Sequence, residues 1–218
     1  MKKNIRKVAI VLSGPCDSFI SRKRLNKYDF IIGVDGGAKH ILKCGPLPDL
    51  YIGDNDSLSD FTFDFLINNG VENLKYNTLK DKTDFELAMD YVLKNLDANL
   101  IDIYCALGAR EDHTMTILNN ILSYTKKYKI TVYGQNQILK VLDEGDTIRI
   151  KSKDEVEYFS MVPIDEEFTV SINSAAWELD NKTVKRTSSL LMSNRIRGEY
   201  SQIKAKKNRA YLFIIIKK

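Results

Sequence analysis

Five short apolar runs, at residues 7–12, 30–34, 50–52, 100–105 and 130–133, alternate with helical stretches through the first two-thirds of the chain. Strands covered on both faces read as near-continuous runs of this kind. Between them, residues 39–44 and 61–68 read as helices, the second stopped by Gly70. Thr83-Asp84-Phe85-Glu86 is a capping box, a hydroxyl at the cap with Glu three residues later. The helix behind it carries Phe85, Ala88, Met89, Val92 and Leu96 on one face. A further helix is predicted after His113, with Met115, Leu118, Ile121 and Leu122 inward. Alternation of strand and helix predicts an α/β domain with a mainly parallel, Rossmann-like sheet. Such sheets bind ligands beyond the carboxyl ends of their strands.

After Gly134 the rhythm changes. Segments at 138–142, 147–150, 156–162, 168–172, 202–206 and 211–216 alternate apolar and polar residues, with Asp143-Glu144-Gly145-Asp146 as a tight turn. No helical period is visible, which predicts a small all-β unit, sandwich or barrel. The division expected is an α/β domain over residues 1–136 and the all-β domain over 137–218. A chain of 218 residues with 44% hydrophobic and 28% charged residues has material for real cores. The basic start Met1-Lys2-Lys3 is followed by too short an apolar run for a signal peptide. No run approaches the roughly 20 apolar residues that span a bilayer, so no membrane partner is expected. Cys16, Cys44 and Cys105 are scattered without a C-x-x-C, as buried thiols in a reducing cytoplasm would be. Residues 182–218 hold eleven Lys/Arg and one acid. Tyr200-Ser201-Gln202-Ile203-Lys204-Ala205-Lys206 alternates charge with apolar residues, which reads as a half-exposed strand and not as a nucleic-acid surface.

Four polar clusters sit where the α/β strands end or helices begin. Asp35-Gly36-Gly37 offers an acid and two glycines that let a ligand approach backbone N–H groups; the ordinary alternative is a left-handed turn. Gly53-Asp54-Asn55-Asp56-Ser57 follows the third strand, and its two carboxylates project the same way from an extended backbone. A cation between them relieves their repulsion, and oxygen-only ligands suit Mg2+; a solvated turn is the alternative. In Lys80-Asp81-Lys82-Thr83-Asp84, Asp84 sits where a helix dipole favours an acid in any case. Asp81 has no such reason to be there, and Lys80 and Lys82 suit phosphate. Gly108-Ala109-Arg110-Glu111-Asp112-His113 puts Arg and Asp between a buried strand and a helix, as a phosphate cradle or as a capped loop. Acids for a metal beside basic groups for phosphate point to phosphoryl-group chemistry.

In their order and spacing these clusters resemble the thiamine pyrophosphokinase family. The family shows an Asp-Gly-Gly turn, a G-D-x-D-S stretch, a K-D-x-T-D stretch opening a helix, and a G-G-R-x-D-H loop. A C-terminal β-sandwich with a tryptophan and a later Ser-Asn pair also fits, here Trp177 and Ser193-Asn194. Departures are Asn55 for an aromatic residue, Ala109 for a glycine, Glu178 for a proline and Arg195 for an acid.

The resemblance implies transfer of the pyrophosphoryl group of ATP to the hydroxyl of thiamine, giving thiamine diphosphate and AMP. It implies Mg2+ held by Asp54, Asp56 and Asp81. Arg110 and Lys82 would neutralise charge on the transferring oxygens, and Asp84 or Asp112 would orient the alcohol or accept its proton. Asp35, Gly36, Gly37, Lys80, Lys82, Gly108, Arg110 and His113 would meet ATP. Trp177, Ser193 and Asn194 would meet thiamine, the indole facing the thiazolium cation. It further implies a cytoplasmic homodimer whose site is shared between subunits. The rival readings are a Mg2+-dependent phosphatase or nucleotide-sugar transferase built on Asp54 and Asp56, and a non-catalytic thiamine or nucleotide sensor.

Overall fold

The computed structural model describes residues 2–15, 19–53, 58–75, 81–108, 110–152 and 155–217. The chain forms two compact units, Met1–Gln135 and Asn136–Lys218.

The first unit runs β1 (Lys7–Val11), α1 (Arg22–Leu25), β2 (Phe30–Val34), α2 (Gly37–Lys43), β3 (Leu50–Gly53), α3 (Asp60–Asn68), β4 (Glu72–Lys75), α4 (Asp84–Asn95), β5 (Leu100–Tyr104), α5 (Glu111–Ile121) and β6 (Lys129–Tyr133). Its strands lie in the order β4-β3-β2-β1-β5-β6, and every pairing among them is parallel. β2 and β3 are buried along their whole length, which accounts for their unbroken apolar runs. The chain winds outward from β1 through β2, β3 and β4, then crosses back to add β5 on the other side. Between β1 and β5 the strand order reverses, and a crevice opens there beyond the strand ends.

β4 is not visible as a strand in the sequence, because Glu-Asn-Leu-Lys has neither alternation nor β-branched residues. Pairing with β3 makes it one, and its charged residues suit the edge position it takes. α1 is a single turn whose start is capped by the Ser21 hydroxyl, accepting from the Arg24 N–H. α4 has the predicted capping box and buries Phe85, Ala88, Met89 and Val92 as expected. α5 keeps Ile121 of the expected face buried and departs from the rest of it. It begins at Glu111, before His113, and turns Ile117 and Ile121 inward, while Met115 is 65% exposed. Ile117 and Ile121 are four apart and lie on one side of the helix; Met115 falls off that side.

α2 packs close against the end of β1. A Cβ added to Gly37 would lie 1.9 Å from the carbonyl oxygen of Val11, which is backbone and cannot swing away. Gly37→Ala is therefore expected to destabilise the protein by about 3 kcal/mol, at the upper end for overpacking, read as a lower urea midpoint. An unchanged midpoint would mean that α2 shifts freely.

The second unit contains β7 (Gln137–Leu142), β8 (Thr147–Lys151), β9 (Val156–Pro163), β10 (Glu167–Asn173), β11 (Leu179–Lys185), β12 (Tyr200–Lys207) and β13 (Ala210–Ile216). β13 pairs antiparallel with β7 and β9. A separate antiparallel sheet has the order β11-β10-β12-β8. One core joins Phe159, Met161 and Leu212 from the first group to Phe168, Ile172 and Ile203 from the second. β12 buries Ser201, Ile203 and Ala205 and turns its lysines outward, as the alternation predicted. β11 escaped sequence reading because Val184 alone of its residues is buried.

The expectation of three buried thiols needs correction. Cys105 is disulfide-bonded, Cys44 carries a free thiol and is partly exposed, and Cys16 lies outside the described residues. Among the described residues no helix is long and apolar enough to cross a membrane.

Candidate functional site

Beyond the ends of β1 and β5 the backbone stays paired for a few more residues. The Leu12 N–H donates to the Tyr104 carbonyl and the Gly14 N–H to that of Cys105, each at 2.9 Å. These bonds pin the Ser13 turn beside the end of β5. Asp35 ends β2 in the left-handed region, at φ 48°, and its N–H donates to Ile52 at 2.9 Å. Its carboxylate lies alongside β3, since a Cβ on Gly53 would sit 2.6 Å from Asp35 Oδ1. Glycine at 53 is what leaves room for that acid.

The first turns of α4 and α5 open onto the same crevice. Thr83 and Glu86 cap each other: Thr83 N–H and Oγ1 donate to Glu86 Oε2 at 2.9 Å, and Glu86 N–H returns to Thr83 Oγ1 at 3.2 Å. Asp84 follows the cap. On α5, Arg110 holds Asp112 through two bonds, Nε to Oδ1 at 3.1 Å and Nη2 to Oδ2 at 2.5 Å. The guanidinium pulls the Asp112 carboxyl down to about 2.

Together these elements enclose a cavity of ≈ 830 Å³, large enough for a nucleotide-sized ligand. Leu12, Val34, Phe85, Ala106 and Ile117 supply its apolar wall. Asp35, Asp84, Arg110, Asp112 and His113 supply charge and hydrogen-bonding groups, so five of the predicted site residues meet in one place. Ser13, Thr114 and Thr116 also line it and were not singled out from the sequence. Ser13 stands in the Ser-Gly-Pro that ends the first strand, the position a switch-point argument would have flagged.

Other predicted residues stand elsewhere. Lys82 pairs with Asp90 one helical stretch away, at 2.6 Å, and is not in the cavity wall. Gly37 and Gly36 pack against β1 and its turn, Gly37 on Val11 and Gly36 with its Cβ position 3.0 Å from Ser13. Gly108 takes φ +88°, which a tight turn requires of it. Asp81 is exposed just before the α4 cap. Asp54, Asp56 and Lys80 lie outside the described residues, as do Asn55, Ser57 and Ala109. Among the described residues no cluster of three His, Cys, Asp or Glu is placed to hold a metal. As a donor set, Asp54, Asp56 and Asp81 are all carboxylates and match the chemistry of a hard divalent ion.

In the second unit Trp177 is 59% exposed. Asn194 is only 4% exposed, and its side-chain amide faces the Trp177 main chain. Ser193 is exposed, at φ 56°, with its N–H donating to the buried Ser160 hydroxyl at 2.8 Å. Glu178 Oε1 accepts from the Ser174 N–H, which ties the Trp177 loop to itself.

Comparison with known proteins bears on both units. A family model described as "Thiamin pyrophosphokinase, catalytic domain" matches residues 21–133. A second, "Thiamin pyrophosphokinase, vitamin B1 binding domain", matches residues 146–209. A protein of Bacillus subtilis (strain 168) named thiamine pyrophosphokinase is 26% identical over 175 residues, covering 78% of this chain and 81% of that one. The crystal structure of thiamine pyrophosphokinase from Bacillus subtilis superposes with TM-score 0.85 at 20% identity, covering 98% of this chain and 100% of that one. That of thiamin pyrophosphokinase from Geobacillus thermodenitrificans gives 0.82 at 23% identity, covering 97% and 98%. At such identities the structural likeness speaks for the fold alone.

Proposed function

The chain belongs to the thiamin pyrophosphokinase family, and from that premise we propose how its residues divide the transfer of a pyrophosphoryl group from ATP to thiamine. The observation that carries the proposal is the convergence of Asp35, Asp84, Arg110, Asp112 and His113 on one cavity at the β1–β5 switch point. ATP binds there, with its base against the apolar wall and its phosphates toward the first turns of α4 and α5. Backbone N–H groups at those helix starts suit anionic oxygens. This is the nucleotide crevice of a Rossmann-like sheet.

Thiamine's hydroxyl oxygen attacks the β-phosphorus. A new P–O bond forms, the bond from that phosphorus to the α,β-bridging oxygen breaks, and AMP leaves. Arg110, held by Asp112 through Nε and Nη2, directs its remaining N–H groups at the transferring oxygens. Lys82, paired with Asp90, is left out of this role. Asp84 accepts the alcohol's proton. Asp112 is the poorer base, since Arg110 holds its carboxyl at about 2. Asp54, Asp56 and Asp81 would hold Mg2+, which when bound screens the phosphate charge. The second unit presents Trp177 to the thiazolium, a fixed cation that an aromatic face attracts. The working form is a homodimer in which one copy's cavity is completed by the other's Trp177. A cytoplasmic location belongs to the same reading, ATP being the co-substrate.

Incubation with ATP, Mg2+ and thiamine, followed by chromatography, tests the reading. Equal amounts of AMP and thiamine diphosphate are expected. Inorganic phosphate without AMP would instead favour a phosphatase, and tight thiamine binding without turnover a sensor.

The choice between the two acids has its own test. A depressed folded-state value means that the Arg110 pairing contributes above about pH 4, the ordinary carboxylate range, and fades as the pH falls toward 2. Asp112 therefore stays ionised throughout the working range. Asp84→Asn is expected to lower kcat by about 10²–10⁴-fold, the range for a positioned base, and Asp112→Asn by less. A larger fall in Asp112→Asn would reverse the assignment.

A further inference from the structure

Trp177 stands on a loop, yet a flat aromatic face binds a cation well only when the ring is already in position, because ordering it during binding offsets affinity. The chain around it is held in an unusual way. Asn194 Oδ1 accepts from the Trp177 N–H at 3.1 Å and from the Arg195 N–H at 2.9 Å. Asn194 Nδ2 donates to the Trp177 carbonyl at 2.7 Å. One side-chain amide thus engages both main-chain polar groups of the same residue, as a neighbouring strand would. The asparagine is itself fixed from behind. Its main chain exchanges two bonds with Phe159 of β9, each at 2.8 Å, and Phe159 is fully buried. The next strand residue, Ser160, takes the Ser193 N–H. Ala176 adds a bond to the Arg195 carbonyl at 2.8 Å.

We propose that Asn194 is a positioning residue for thiamine, acting through Trp177 by clamping its main chain and not by touching the substrate. The inference rests on the reading of Trp177 as the thiamine platform. A buried amide with its oxygen doubly engaged has little left to offer a ligand, whereas the indole it carries is exposed. An asparagine is needed because the clamp requires an acceptor and a donor on one short, planar group. Aspartate keeps the acceptor and sets a charged oxygen against the Trp177 carbonyl.

The chain has one tryptophan, so its emission reports on Trp177 alone. In full-length Asn194→Asp the KM for thiamine is expected to rise on the order of tenfold, as for one lost buried hydrogen bond. The KM for ATP should stay within about twofold, and Trp177 should show lower anisotropy and faster acrylamide quenching. In a Trp177→Ala background the same change should add nothing to the thiamine KM. A raised thiamine KM with unaltered Trp177 emission and quenching would overturn the proposal, since Asn194 would then contact thiamine itself. So would an Asn194→Asp enzyme unchanged in every respect. If Trp177→Ala alone leaves the thiamine KM unchanged, the platform reading fails, a separate result. Asn194→Ser, which removes the clamp without adding charge, answers the same questions should the aspartate variant not fold.

Discussion

Arg110→Ala is expected to lower kcat by about 10²–10³-fold, the range for removing one preorganised group that meets developing charge. Its unfolding midpoint should move by no more than about 2 °C, because exposed ion pairs contribute little to stability. Both side chains of the Arg110–Asp112 pair are largely exposed, 64% and 65%. That separates the two quantities: a residue that matters to the transition state and hardly at all to the fold. Arg110→Lys is expected to recover only part of the rate, since an ammonium offers a point charge in place of a fork. The KM for thiamine should be unaffected. A fall in kcat of less than about threefold would remove Arg110 from the transferring oxygens and return Lys82 to consideration.

Assayed at thiamine well below the KM of the Trp177→Ala enzyme, where either chain alone gives little rate, a mixture of Arg110→Ala and Trp177→Ala chains is expected to restore about a quarter of the unmodified rate. On the proposed dimer with shared sites, random pairing makes half the dimers mixed, and each mixed dimer would have one intact composite site. The test needs exchange of subunits, which brief dilution and reconcentration supplies. No recovery, with exchange shown by labelled chains, would mean that each copy builds its site from its own residues. Recovery would tie the cavity of the first unit and the exposed tryptophan of the second to one activity.

Much of the architecture was legible in the chain itself. The unbroken apolar runs that became β2 and β3 announce strands covered on both faces. The Thr83–Glu86 box places the start of α4, because both partners lie within one turn of each other. Switch-point logic gathers Asp35, Asp84, Arg110 and Asp112 at one end of the sheet before any coordinate is known. Ser13, Thr114 and Thr116 were missed because a small hydroxyl residue carries no pattern of its own. β4 and β11 were missed because their neighbours, and not their side chains, make them strands.

The amino-acid order by itself determined most of the strands and helices, including the buried β2 and β3 and the capped start of α4. Those signals are local: periodicity, caps and turn residues act over a few positions. Only the folded protein decided that Lys82 faces Asp90 and that Met115 points to solvent. Only there does the amide of Asn194 close on a tryptophan 17 residues earlier. Such contacts depend on where packing brings distant segments, and a side chain's partner is chosen by what the fold sets beside it.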